Sequence, residues 1–240
     1  MTTAAHPGGF FYARAAGLNP EETTMAVNLP NGSLIHIGSA YGSAVTVSAA
    51  TNASTAVLTA TAHGLADGDY IVLTSGWSRL NGRTFRVDNC TTSTFELEGI
   101  DTTNTSVFAS GSGTGSFKKV STWTQVQQIL STATSGGEQQ FADYQFLEAD
   151  AAVRIPTFKS PAQLTISIAD DPALPGYVAV KAANDDRVPR ALRLSMPNGS
   201  KIAYNAYISI GSMPSLTVNE IMAVEMTATY VNPEVSRYAT

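Results

Sequence analysis

The sequence predicts a mainly β fold: a β-sandwich or barrel-forming sheet with one packed α-helix, interrupted by an inserted small all-β domain. Three observations carry this. First, Ala191 to Met196 and Lys201 to Ile210 alternate strictly about the turn Pro197-Asn198-Gly199-Ser200, with Leu192, Leu194 and Met196 on one face and Ile202, Tyr204, Ala206, Ile208 and Ile210 on the other strand's face. Second, a helix start reads clearly at one place, Asp170-Asp171-Pro172. An acidic cap and a proline near the first turn there open a helix to about Ala183, with Tyr177, Val180 and Ala183 as its apolar stripe. Third, the texture changes between about Ala40 and about Phe117, where Thr, Ser, Ala and Gly dominate and short strands alternate with turn signals.

The elements follow in order. Residues 1–22 have no sustained period and read as an N-terminal arm, with Phe10, Phe11 and Tyr12 as its apolar cluster. Residues 23–39 and 118–240 form the main domain. Thr24 to Ile37 reads as a hairpin around a first Pro-Asn-Gly-Ser turn. Residues 40–117 form the insert, with strands at Val45–Val47, Ala56–Thr61, Tyr70–Leu73, Thr84–Val87 and Thr94–Leu97. It closes on Ala109 to Ser116, whose Gly/Ser composition predicts a flexible exit. Phe117 to about Ile129 is read as a strand, although Trp123, Val126 and Leu130 also fit a helical stripe. Gln139 to Leu147 reads as a strand, Glu148 to Pro161 as a long loop or extended hairpin, and Ala162 to Ile168 as a strand. The last strand is expected over Leu216 to Tyr230. Val218, Met222, Val224, Met226 and Tyr230 would share one face, and Thr217, Asn219, Glu225, Thr227 and Thr229 the opposite, water-facing one.

Composition and chemistry narrow the function. Charged residues are 14% of the 240 and hydrophobic residues 43%, a balance that folds. The net charge of -5 and the absence of any Lys/Arg run argue against gripping nucleic acid through its phosphates. No stretch approaches the roughly 20 apolar residues of a membrane span. With no signal-peptide pattern at the N-terminus, synthesis in the cytoplasm is expected. Cys90 is the single cysteine, so neither an intrachain disulfide nor a Cys-based zinc cluster stabilises the fold. His6, His36 and His63 are scattered with no nucleophile elbow beside them and no metal-ligand spacing. Gly111, Gly113 and Gly115 lack the Lys-Ser/Thr of a phosphate loop. The reading is of a protein that is not an enzyme, with no catalytic, cofactor-binding or metal residues and no cofactor.

Pro172 to Arg187, Arg190 to Ser200 and Leu216 to Met222 together resemble the tail tube (major tail) proteins of long-tailed siphophages, and Gly136 to Phe141 extends the likeness upstream. The insert, through Ala62 to Asp69 and Leu80 to Val87, looks like a small β-domain of phage tail proteins likened to the first catalytic cysteine half-domain of ubiquitin-activating enzymes. No adenylation or transfer machinery surrounds it. The resemblance implies a structural virion protein, made in the host cytoplasm, that polymerises as stacked hexameric rings into a tube. Its implied partners are other copies of itself, a tape measure protein, a tail terminator and tail-tip proteins. DNA would cross the lumen without specific binding, and no membrane insertion is implied.

Within that frame Thr217, Asn219, Glu225, Thr227 and Thr229 are expected to face the lumen. Phe10, Phe11, Tyr12, Arg154 and Phe158 are expected at contacts between rings, and the insert should project outward and be dispensable for polymerisation. The rival reading is a host-surface or carbohydrate-binding tail module carried by the insert, resting on exposure of Trp77 in a Gly76-Trp77-Ser78 turn.

Overall fold

The computed structural model describes residues 30–239. They begin at the first Pro-Asn-Gly-Ser turn, where Gly32 takes a φ of 87° that a side chain would resist. The strands β1 (Leu34–Tyr41), β2 (Val45–Val47), β3 (Ala49–Ala50), β4 (Ala56–Thr59), β5 (Tyr70–Ser75), β6 (Arg83–Asp88), β7 (Thr94–Leu97) and β8 (Gly115–Val126) follow. Next come β9 (Ile129–Gly136), β10 (Gln139–Tyr144), β11 (Val153–Lys159), β12 (Ala162–Ala169) and the helix α1 (Pro175–Asp186). The chain ends with β13 (Arg190–Ser195), β14 (Lys201–Ile210), β15 (Ala223–Tyr230) and β16 (Ser236–Tyr238). The fold is mainly β, as the alternation required.

One 14-stranded sheet runs in the order β3-β4-β7-β6-β5-β8-β1-β13-β14-β15-β12-β9, with β2 also on β8 and β16 also on β14. β10 and β11 form a separate antiparallel pair. The long strand β8 belongs to two bodies. Its first half pairs with β2 and β5 around a core that includes Leu58, Phe85, Phe95 and Phe117. Its second half pairs with β1 beside the larger core of Ile37, Ile166, Leu192, Val224 and Met226.

The larger sheet curls over that second core. β8 and β9 stand at opposite ends of it, yet only Gln127 and Gln128 separate them in the chain. The two edges must therefore approach each other. A cavity of about 540 Å³ is accordingly lined from both sides, by Ile35, Leu194 and Met196 of one edge region and Ile129, Leu130 and Leu164 of the other. α1 covers the core between them with Val180 and Ala183, and Gly176 sets its approach to β8.

The smaller body is docked against the outer face of β13 and β14. Tyr70, Val120 and Tyr238 bury Ala191 and Ala203 there. Asn205 donates to the Gly82 carbonyl at 3.1 Å, Arg83 donates to Ser236 Oγ at 3.2 Å, and the Arg86 N–H donates to the Tyr238 hydroxyl at 2.7 Å. The Arg193 guanidinium lies 5.5 Å from the Tyr70 ring centroid and 4.7 Å from that of Trp123. A desolvated cation over two aromatic faces helps fix the two bodies to each other.

Several expectations need correction. The exit of the insert is not a flexible linker, because a Cβ at Gly113 would meet the Trp77 ring and Gly115 lies against the Thr74 carbonyl as the first residue of β8. Its glycines serve close packing. The helix begins at Pro175 and runs to Asp186, since Asp171 spends its carboxylate on a turn, accepting the Ala173 N–H at 3.2 Å. β15 begins at Ala223 and not at Leu216. β14 and β12 end at Ile210 and Ala169, so residues 216–222 find no neighbouring strand among the described residues, and Asn219 turns into the left-handed region at φ 66°. β9 is an element that periodicity missed, whereas Trp123 lies on a strand as read and the Glu148 to Pro161 stretch takes the extended-hairpin alternative, as part of the β10–β11 pair. Phe10, Phe11, Tyr12 and the stretch from Thr24 expected as the first strand of a hairpin lie outside the described residues.

Two predictions follow from this packing. Gly→Ala in a helix normally stabilises, but a Cβ at Gly176 would fall inside contact distance of the Gln125 carbonyl oxygen. Gly176→Ala should therefore lower stability by about 1–3 kcal/mol in denaturant unfolding. Glu234 is held below its ordinary carboxyl value by the hydrogen bond from Lys159 and then by the charges of Lys159, Arg83 and Arg79. A depressed carboxyl stabilises fully above its unfolded value and loses that contribution as pH falls through the folded one. The gap in melting temperature between wild type and Glu234→Gln should be present at about pH 6 and shrink progressively as pH falls below the ordinary carboxyl range. For so exposed a pair the gap should correspond to less than about 1 kcal/mol.

Candidate functional site

The half of the curled sheet that the small body leaves open presents one continuous polar face. Directly paired residues of antiparallel strands share a face, so the registers define it row by row. Thr229 pairs with Gln163 and Tyr207, and Gln163 with Ser135. Thr227 pairs with Thr165 and Ser209, and Thr165 with Ala133. Glu225 pairs with Ser167, and Ser167 with Ser131. The intervening residues Leu164, Ile166, Ile168, Val224, Met226 and Ala228 all point into the core.

Electrostatically this wall is almost blank. Hydroxyls and one amide supply its polarity, and Glu225 is its single formal charge. A surface of this kind hydrates well and offers no cation to a phosphate. β12 has eight residues, which makes the wall about 25 Å tall along the strands.

Three of the five sequence-predicted residues, Glu225, Thr227 and Thr229, stand on this wall. Thr217 and Asn219 do not; both lie in the exposed loop after β14, where the Glu220 N–H closes a turn on the Thr217 carbonyl at 3.2 Å. Gln163, Thr165 and Ser167 of β12 were readable from the alternation with Leu164, Ile166 and Ile168. Ser131, Ala133 and Ser135 of β9 were not, because their neighbours Thr132 and Thr134 are polar too and leave no contrast.

Of the other predicted positions, Arg154 and Phe158 are on the β10–β11 hairpin, which leaves the wall where Gly136 pairs with Ala162. Arg154 and Phe158 are both exposed on β11. Arg154 donates to Asp143 at 2.7 Å and lies 5.4 Å from the Phe141 ring centroid, and this hydrogen bond holds the Asp143 carboxyl below its usual range.

The remaining chemistry-bearing residues have structural roles. His63 is buried, accepts the Leu65 N–H on Nδ1 at 3.1 Å and stacks edge-on against Phe95. Burial first, and then Asp67, push the Cys90 thiol up to about 11, away from the reactive thiolate. Trp77 is 2% exposed and donates Nε1–H to the Ala109 carbonyl at 2.7 Å, so the exposed ring on which a sugar-binding reading rested is in the small core. Among the described residues no group of three His, Cys, Asp or Glu side chains could hold a metal, and no helix is long and apolar enough to cross a membrane.

The assignment of faces is checked by paired substitutions. Met226→Ala should cost about 2–5 kcal/mol in denaturant unfolding, as for a buried large side chain. Thr227→Ala, one residue along the same strand, should cost less than about 1 kcal/mol.

No curated protein matches this chain. Solved structures resemble parts of it. One is a sheath/tube terminator of an extracellular contractile injection system (TM-score 0.34, 15% identity, covering 45% of this chain and 84% of that one). A second is the tube terminating cap of the anti-feeding prophage (0.35, 19%, 48% and 83%). A third is a chain of that particle's baseplate (0.36, 7%, 73% and 95%). At TM-scores this low the likenesses carry no weight for function. The family model of the phage tail tube protein, TTP, matches residues 75–240, more than half the chain, taking in β6, β7 and all of the larger sheet except β1. With its mainly β fold and its wall of hydroxyls, this chain belongs to the phage tail tube protein family, as a structural, non-enzymatic component of the virion.

Proposed function

We propose that the protein polymerises as stacked hexameric rings into the tail tube of a long-tailed siphophage, with the β9-β12-β15 wall turned to a lumen through which DNA and a tape measure protein pass. The observation that carries this reading is the wall itself: a hydroxyl-lined face with one acidic residue and no cation on a family member whose product is a tube. Thr165, Ser167, Glu225, Thr227 and Thr229 line the conduit in this reading, while Thr217 and Asn219 lie at its end. β9 is the outer strand of the wall among the described residues, and pairing it with a neighbouring subunit would close that edge. Arg154 and Phe158 serve contacts between rings, and tail terminator and tail-tip proteins cap the two ends.

Residues 40–117 act as an inserted module in this scheme. Its separate core supports that division, and its packing on the half of the curled sheet that looks away from the wall supports a position outside the tube. Because its removal uncovers Ala191, Ala203 and Tyr238, a deletion variant needs polar residues at those sites to stay soluble.

Negative-stain electron microscopy of the concentrated protein should show hollow tubes of uniform width with sixfold end views; persistent monomers would sink the reading. Duplex DNA should not bind such tubes. Thr165→Lys with Thr227→Lys should leave assembly intact and make the tubes retain DNA, with an affinity that falls steeply as salt rises, a log–log slope of about -0.9 per phosphate neutralised.

A further inference from the structure

The two ends of the polar wall differ, and each carries an apolar surface that neither core uses. The β10–β11 hairpin leaves from the end where Ala162 pairs with Gly136, and it exposes Phe141, Phe146, Leu147, Ile155 and Phe158. The loop of residues 211–222 leaves from the other end, where Ala169 pairs with Ala223, and it exposes Met213, Leu216, Val218, Ile221 and Met222. The length of β12 separates the two departures. Leu147 is fully exposed and Val218 is 85% exposed.

An isolated two-stranded hairpin is marginal in water. Here the hairpin has its own ion pair, Asp143 with Arg154, and the Arg154 guanidinium near Phe141, but no sheet or helix behind it among the described residues. Its apolar side chains gain free energy only when something covers them. The loop is in the same position, with alternating apolar residues and no strand partner among the described residues.

Two unlike apolar surfaces at opposite ends of one subunit have a geometric consequence. If each covered its own kind across a twofold axis, successive copies would alternate in direction and the polymer would have no polarity. If one covers the other, every copy keeps one end free and the contact repeats without closing. We propose that the hairpin of one copy docks on the 211–222 loop of the next copy along the tube axis, a heterologous contact that gives the polymer its direction. The occupant of each surface is therefore a second copy of this chain. The proposal rests on the tube reading and adds which segment meets which.

The test uses the full chain with Cys90→Ser as background, adding Leu147→Cys at the hairpin tip or Val218→Cys in the loop, with native secondary structure checked by circular dichroism. Under polymerising conditions, a flexible bismaleimide should join the two single-cysteine variants when they are mixed and leave each one alone uncoupled. A chain carrying both cysteines should give a ladder of multimers. Coupling of either variant with itself, or well-formed tubes that yield no mixed product, would overturn this contact and leave the tube reading standing. A protein that forms no tubes by electron microscopy under any condition overturns both.

Discussion

The faces of β1, β13, β14, β15 and β12 that carry Ile37, Leu192, Tyr204, Met226 and Ile166 form a surface far wider than one twelve-residue helix can cover. The sheet has to cover itself, and it does so by curling until the strands at its two edges face each other across the same core. The other features follow from that curl. It gives the sheet two outer faces that look in different directions, so that one takes the smaller body and the other stays open to water. It also leaves β9 as an edge strand.

β14 shows how one strand serves both directions. Tyr204, Ala206 and Ile208 point into the core along its length, while the opposite side changes character midway. Ala203 and Asn205 are buried under the smaller body, whereas Tyr207 is exposed on the wall with half-buried Thr229 beside it. Asn205 is polar but buried because it donates to the Gly82 carbonyl. The change from apolar contact to hydrated wall therefore falls within a single strand, between Asn205 and Tyr207.

Much of this was legible wherever one side of a strand is apolar and the other is not. β2, β7 and β14 match the expected bounds, and β4, β5, β6, β12 and β13 lie within a few residues of them. Legibility failed where the physics is not local. β9 has polar residues on both faces, so its strand character comes entirely from pairing with β12. The alternation of Leu216, Val218 and Met222 looks like strand but has no neighbouring strand among the described residues. The glycines before β8 read as slack because composition does not reveal that Trp77 and Ala50 crowd Gly113. Burial of Trp77 was equally invisible, since its partner Ala109 is far along the chain.

The sharing of β8 between the two bodies bears on how the chain folds as it leaves the ribosome. Nearly all strands of the smaller body precede β8, so that body can close once the first half of β8 has emerged. The second half of β8 then hangs from a finished domain, holding β1 beside it, while β13 to β16 are still unsynthesised. Vectorial synthesis thus presents a growing half-sheet on a rigid handle, and its apolar side stays uncovered until the last strands arrive. The handle fixes the register of β1 against β8 early, which leaves the late strands one prepared edge to join.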